Sequence, residues 1–156
     1  MKKLLAVIIF MVNLTAANAQ TEAGLNAWIQ NSDTSIIDVK SDNSAEVIKA
    51  FNEFGWGTER DKRKQLGMDN SVDPSLGFGV WGDERFMNII PKDDNKIEVL
   101  YVKTRTVSKK VLGFIPTESQ VNDQFLGENL TQEQAEEIIR AYFAKDEAMI
   151  LKFCKK

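Results

Sequence analysis

The chain contains no histidine and a single cysteine among its 156 residues. Without histidine, it cannot by itself form a Ser-His-Asp triad, a Cys-His nucleophile pair or an HExxH zinc site. Carboxylates with one thiol, Cys154, make a poor zinc ligand set. No serine is followed three residues later by lysine, so a Ser-x-x-Lys nucleophile is also missing. The sequence therefore predicts no metal and no cofactor, and it leaves carboxylate chemistry or no chemistry at all.

Long hydrophobic runs are missing as well. The longest covers residues 4–12, and its roughly nine residues fall well short of the ~20 that span a bilayer. It follows two lysines and precedes Ala-Asn-Ala at 17–19, the small-x-small pattern that signal peptidase reads. We predict a signal peptide over residues 1–19; a retained anchor is the alternative. Residue 20 is not the cysteine that bacterial lipid attachment requires, so we expect residues 20–156 to be soluble, without a membrane span, and periplasmic or secreted.

Neither sign of charge dominates. The chain has 23 acidic and 20 basic residues, and the predicted cleavage would remove two of the lysines. Proteins that bind nucleic acid usually carry a clear basic excess, so this composition argues against a nucleic-acid partner. A chain of this length can bury enough surface for one core, and no repeat or linker divides it. We therefore expect residues 20–156 to form one domain.

The spacing of apolar residues predicts an α+β domain. Apolar residues at helical spacing, together with capping residues, predict helices near residues 22–30, 44–54, 58–66 and 132–153, with one more beginning at Thr117. Alternating apolar residues predict a brief strand at 35–39 and four consecutive strands at 77–81, 84–90, 96–104 and 106–114. Short connections between these four strands favour an antiparallel meander. We expect a sheet of about four strands packed against flanking helices, with a long C-terminal helix as its main cover.

The C-terminal part of the chain carries the clearest helix signal. Thr131 is the expected N-cap, and Gln134 stands three residues later, as in a capping box. An apolar stripe follows at helical spacing from Ala135 onward. The pattern is compatible with one helix or two over residues 132–153.

Aromatic residues alternate with glycine at 54–57 and 77–82, and these two segments hold five of the nine glycines. Exposed Trp and Phe rings can stack on sugars or anchor a protein partner, and a basic run follows the first segment. The candidate partner-binding residues are Trp56, Phe78, Trp81, Arg60 and Arg63. The alternative is that the aromatic rings fill the edge of the core and that the basic side chains are exposed to solvent without a binding role. A second basic stretch, at residues 103–110, surrounds a predicted turn.

We expect an exported, soluble, non-enzymatic protein of the cell envelope that binds a protein partner or a glycan, for example an inhibitor or immunity-type protein. The alternative is a carboxylate-dependent hydrolase of envelope or extracellular glycans, which would need two acids about 5–10 Å apart, one with a raised pKa. Cys154 also leaves a thiol-linked homodimer open. Its other interpretation is a small apolar side chain at the end of the last helix.

Overall fold

The antiparallel sheet is the main feature of the fold. The structure, a computed structural model, describes residues 25–39, 43–67, 69–80, 84–92, 95–111 and 115–156. Within these ranges the strands are β1 (Leu25–Gln30), β2 (Ile36–Val39), β3 (Ser75–Val80), β4 (Arg85–Pro91), β5 (Ile97–Val111) and β6 (Ile115–Leu130). The helices are α1 (Ser44–Glu53), α2 (Trp56–Leu66), α3 (Gln132–Phe143) and α4 (Glu147–Phe153). The α+β class is confirmed, and the sheet has six strands in these ranges instead of about four.

The strand order in the sheet is β2-β1-β3-β4-β5-β6, with every neighbouring pair antiparallel. β3 to β6 follow one another as an antiparallel meander, although its last strand, β6, is not one of the four strands that the sequence predicted. β1 pairs with β3 although β2, α1 and α2 lie between them in sequence. The chain therefore leaves the sheet after the β1–β2 hairpin and returns on the other side of β1.

The predicted helix at 22–30 is wrong, because residues 25–30 form β1. Ala27 and Ile29 are each 4% exposed and belong to the core, while Trp28 between them points to the opposite face. This alternation is the period of a strand. The spacing of the apolar residues fits a helix equally well, and pairing with β2 and β3 on both sides decides in favour of the strand.

Trp28 packs on the face of the sheet opposite the core. Gly77 is its direct partner on β3, and a Cβ atom built on Gly77 would lie 2.5 Å from the Trp28 ring. The ring of Phe86 stacks beside it, with a centroid distance of 5.7 Å and an interplanar angle of 23°. The absent side chain of Gly77 therefore lets the indole ring lie against the backbone of β3.

Two sequence predictions around β5 and β6 are also wrong. Ile97–Val111 form one strand, so the turn predicted between the strands at 96–104 and 106–114 is absent, and residues 112–114 lie outside the described residues. The helix predicted from Thr117 falls within β6. Val121 and Phe125 produced the helix prediction, because residues four apart share one face of a helix. Residues four apart share one face of a strand too, and continuous pairing with β5 selects the strand.

The N-terminal helices begin close to their predicted starts. Asn43, one residue before the expected cap, accepts a hydrogen bond from the backbone N–H of Glu46 at 3.1 Å and caps α1. α2 begins at Trp56 and ends at Leu66, and Gly67 follows with a positive φ of 79° that glycine tolerates. None of the helices in the described ranges has the length and apolarity needed to cross a membrane.

The C-terminal helical segment is divided in two. The capping box predicted at Thr131 is confirmed, with its hydroxyl accepting from the N–H of Gln134 at 3.3 Å. Lys145 then takes a positive φ of 58°, and the Asp146 side chain caps a new helix by accepting from the N–H of Met149 at 3.1 Å. The last helix, α4, has only seven residues, so the prediction of a long C-terminal helix is wrong.

The core lies between one face of the sheet and helices α1, α3 and α4. α3 supplies the largest helical share, including Ile138, Ile139 and Tyr142. The Tyr142 ring meets the Phe78 ring edge-on with a centroid distance of 5.0 Å, and its hydroxyl donates to the carbonyl of Arg85 at 2.8 Å. This contact fixes α3 across β3 and β4.

Candidate interaction surface

The aromatic residues predicted to bind a partner do not form a shared surface in the described structure. Phe78 is 0% exposed and packs in the core, so its ring is unavailable to a partner. Trp56 is half-buried; its ring lies 4.5 Å from that of Phe54, and its Nε1 donates to the carbonyl of Phe51 at 2.7 Å. Trp81 lies outside the described residues. The placement of Trp56 and Phe78 supports the interpretation that these rings fill the core and its edge.

The basic run on α2 is engaged in ion pairs within the chain. Lys62 Nζ lies 2.7 Å from Asp33 Oδ2, and Arg63 pairs with Asp73. The hydrogen bond from Lys62, with help from Ser35, holds the pKa of Asp33 well below its usual range. Arg60 is half-buried. These charges fasten α2 to the neighbouring turns, which matches the structural interpretation of the run.

α2 has no buried residue, so polar contacts attach it to the rest of the chain in place of core packing. The fully buried Ser32 donates from its backbone N–H to Glu59 Oε2 at 3.0 Å and from its hydroxyl to the Glu59 carbonyl. α2 is therefore attached by hydrogen bonds and ion pairs to the turn after β1.

Cys154 is buried at the end of α4. It is 1% exposed, and a Cβ atom built on Gly127 would lie 3.1 Å from its Sγ. Burial raises the pKa of the thiol to about 11, so at neutral pH the group is protonated and weakly nucleophilic. The site favours the apolar packing role over a disulfide to another chain.

The carboxylates with resolved pKa shifts do not resemble a general acid. The pKa values of Asp123, Glu133 and Glu136 are all lowered, chiefly by hydrogen bonds that stabilise the charged form. A general acid in glycoside hydrolysis needs the opposite shift. Within the part of the chain that the structure describes, no group of three or more potential metal-ligating side chains comes together.

β5 and β6 extend beyond the rest of the sheet. The register between β4 and β5 ends at Arg85 and Lys103, and one further hydrogen bond joins the N–H of Thr104 to the carbonyl of Glu84 at 2.7 Å. Beyond this point residues 105–111 of β5 pair with 115–121 of β6. We call these two segments the hairpin arm. Among the described strands, the arm has no third neighbour.

The base of the hairpin arm is held by charged side chains. Arg105 Nε and Lys156 Nζ each lie 2.6 Å from the carboxylate of Asp123, and together they lower its pKa. Lys103 Nζ lies 2.6 Å from Glu147 Oε2 at the start of α4. The second basic stretch predicted from the sequence therefore lies along β5, without the expected turn, and two of its charges anchor the arm to the body.

Among the described strands, β6 stands at one end of the sheet, and the C-terminal segment covers its outer edge at Leu126. Leu126 donates to the carbonyl of Lys155 at 2.7 Å and accepts from its N–H at 2.9 Å. The backbone groups of Leu126 thus point away from β5. Since alternate residues of a strand point the same way, the backbone groups of Glu118, Gln120 and Asn122 also point outward.

The outward-pointing residues of the arm are accessible. Residues 117–120 and Asn122 are exposed, whereas Val121 is half-buried. We call residues 116–124 the β6 edge. Sequence reasoning missed this surface because a helix was predicted there. Val121 and Phe125 are spaced by four residues with Asp123 between them, a spacing that fits a helix and a strand alike, so the sequence held no clear signal for a strand.

Comparison with known proteins returns no match to a family model, to a curated protein or to a solved structure. The functional proposal therefore rests on the geometry of this chain.

Proposed function

We propose that this chain is an exported, non-enzymatic interaction protein of the cell envelope, and that it binds a partner polypeptide by adding a strand to the β6 edge. The signal peptide that the sequence predicts at residues 1–19 supports the location. The observation that carries the binding role is the exposed end strand, whose outward backbone groups can pair with an extended segment. An inhibitor or immunity-type protein would fit this mode of binding.

The isolation of the hairpin arm supports the same proposal. A two-stranded ribbon is at best marginally stable in water, and a third strand or a packing partner is needed to stabilise it. Exposed edges are also a hazard that proteins usually blunt with bulges, prolines or lysines. The register of the arm is continuous, without a bulge, from 111 and 115 to its base. Lys109, Lys110 and Pro116 lie toward the tip, and residues 117–124 of the β6 edge contain neither proline nor lysine. An incoming strand at the β6 edge would supply the missing neighbour.

The test is affinity capture from the native envelope fraction, with residues 20–156 as bait and Gln120 as the site of change. Gln120→Pro removes one outward N–H, and Gln120→Ala removes the same side chain but keeps that N–H. We expect the alanine bait to retain the co-purifying protein and the proline bait to lose it. Far-UV circular dichroism and urea unfolding would check that both baits are folded.

Equal capture by the two baits would exclude the β6 edge as the binding site. In that case Trp81→Ala and Trp56→Ala would test the aromatic residues that the sequence singled out. Binding of a glycan would likewise not depend on the backbone N–H of residue 120, and carbohydrate screening would identify a glycan partner.

A further inference from the structure

The β6 edge is limited at both ends, and these limits restrict which strand can pair with it. Toward the base, the C-terminal segment already occupies the edge at Leu126 through both hydrogen bonds to Lys155. Toward the tip, β6 begins at Ile115. Pro116 carries no backbone N–H, so that position can only accept a hydrogen bond. The β6 edge, residues 116–124, therefore offers nine positions to an incoming antiparallel strand.

We propose that the incoming strand is the β6 edge of a second copy of this chain, related by a two-fold axis that passes through Ser119. This inference rests on the proposed function, and it names the partner. A two-fold interface is isologous, so the segment must be complementary to itself. An axis at Ser119 places Glu118 opposite Gln120 of the second copy.

Most of the outward backbone groups are paired in this arrangement. Glu118 and Gln120 exchange both of their N–H and carbonyl groups with Gln120 and Glu118 of the second copy. The N–H of Asn122 donates to the carbonyl of Pro116 in the other chain, but proline has no N–H to return to the carbonyl of Asn122, so this pair has one hydrogen bond instead of two. Thr117 stands opposite Val121, which is a pair of β-branched side chains suited to a sheet.

The neighbouring registers are each disfavoured by a residue of this chain. An axis one residue nearer the tip places Glu118 opposite its own copy, and like charges directly opposite each other are destabilising. An axis one residue nearer the base brings Ile115, the first residue of β6 in the second copy, next to the Leu126–Lys155 bridge. The Ser119 register keeps Ile115 opposite Asp123, clear of the Leu126–Lys155 bridge.

The symmetric pairing also accounts for the length of the hairpin arm. Two arms joined edge to edge form a four-stranded sheet, in the order β5-β6-β6-β5, from two ribbons that are individually marginal. The β6 edges of both chains are removed in the same step, and the β5 segments become the outer strands. In the symmetric dimer, β6 of each copy is therefore the third strand for the hairpin arm of the other copy.

Charge pairs at the axis provide the test. Residues at Ser119 lie opposite each other as a non-hydrogen-bonded pair, where side chains approach closely. We expect residues 20–156 to sediment as a dimer, Ser119→Asp and Ser119→Lys each to sediment as monomers at the same concentration, and an equimolar mixture of the two variants to recover the dimer. Thr106→Asp and Thr106→Lys, on the exposed β5 side of the arm, are matched controls that should leave the dimer unchanged.

The possible results separate this inference from the proposed function. A dimer that is insensitive to charge at Ser119, or two variants that do not rescue each other, would place the interface elsewhere and overturn the inference. A monomeric protein that captures a different chain with the Gln120→Ala bait and loses it with Gln120→Pro would overturn the symmetric dimer while supporting strand addition at the β6 edge. A monomer without edge-dependent capture would overturn both.

Discussion

The contact between Gly77 and Trp28 gives a quantitative prediction for Gly77→Ala. A Cβ atom at residue 77 would lie 2.5, 2.6 and 2.8 Å from three atoms of the indole ring. These distances are well inside van der Waals contact, and the rigid ring, stacked against Phe86, cannot avoid all three by a small shift. Overpacking of this kind costs about 1–3 kcal/mol, which corresponds to a fall in Tm of roughly 3–12 °C for a domain of this size.

A double-mutant cycle isolates that contact. In a Trp28→Ala background the ring is gone, so Gly77→Ala should cost less than about 0.5 kcal/mol, and the coupling free energy should reach about 1 kcal/mol or more. Urea and thermal unfolding of residues 20–156, followed by circular dichroism, would measure all four proteins. Gly57→Ala is the matched control, because Gly57 lies within α2 with open space around its Cβ position. It should stabilise the protein by about 0.5–1 kcal/mol. An equal cost of Gly77→Ala in both backgrounds would refute the role assigned to the ring.

Three further predictions concern single side chains. Thr131→Ala should lower the free energy of unfolding by about 1 kcal/mol because it removes the cap of α3; an unchanged urea midpoint would contradict this. Cys154 should react with a thiol reagent only as fast as the protein unfolds, since its pKa is raised to about 11 by burial; rapid labelling of the folded protein would show an open thiol. Asp33 has a lowered pKa, so its stabilising contribution is present above pH 3.8 and is lost as the pH falls below that value. Asp33→Asn should therefore flatten the acid limb of the stability curve, and an unchanged slope would argue against the pairing with Lys62.

The helices whose ends are marked by capping residues could be predicted from the sequence. The Thr131 capping box and the Gly67 stop both rely on interactions within a few residues, which a sequence displays directly. The break at Lys145 was less visible, because a positive φ at lysine is uncommon and no glycine marks the position. The predicted long C-terminal helix failed for that reason.

Residues 25–30 and the segment from Thr117 to Phe125 were predicted incorrectly for a different reason. Apolar residues spaced by four satisfy both a helix and a strand, so local periodicity does not separate the two. Their pairing partners decide the outcome, and those partners lie as far away as β3 for β1. The candidate surface depends on the same non-local information. A strand becomes an edge only when the whole strand order is known, and Phe78 becomes inaccessible only when α3 covers it.

The pairing of β1 with β3 has a kinetic consequence. Trp28 and Gly77 are adjacent in the sheet but are separated by two helices and another strand along the chain. Closing such a large loop loses more chain entropy than closing the β5–β6 hairpin, whose strands are connected by three residues. Assembly should therefore begin in the meander and end with the β1–β2 hairpin, because slow folding accompanies contacts that are distant in sequence. The side of the sheet that forms last is then the one farthest from the hairpin arm, and the interaction surface can be complete before β1 has docked.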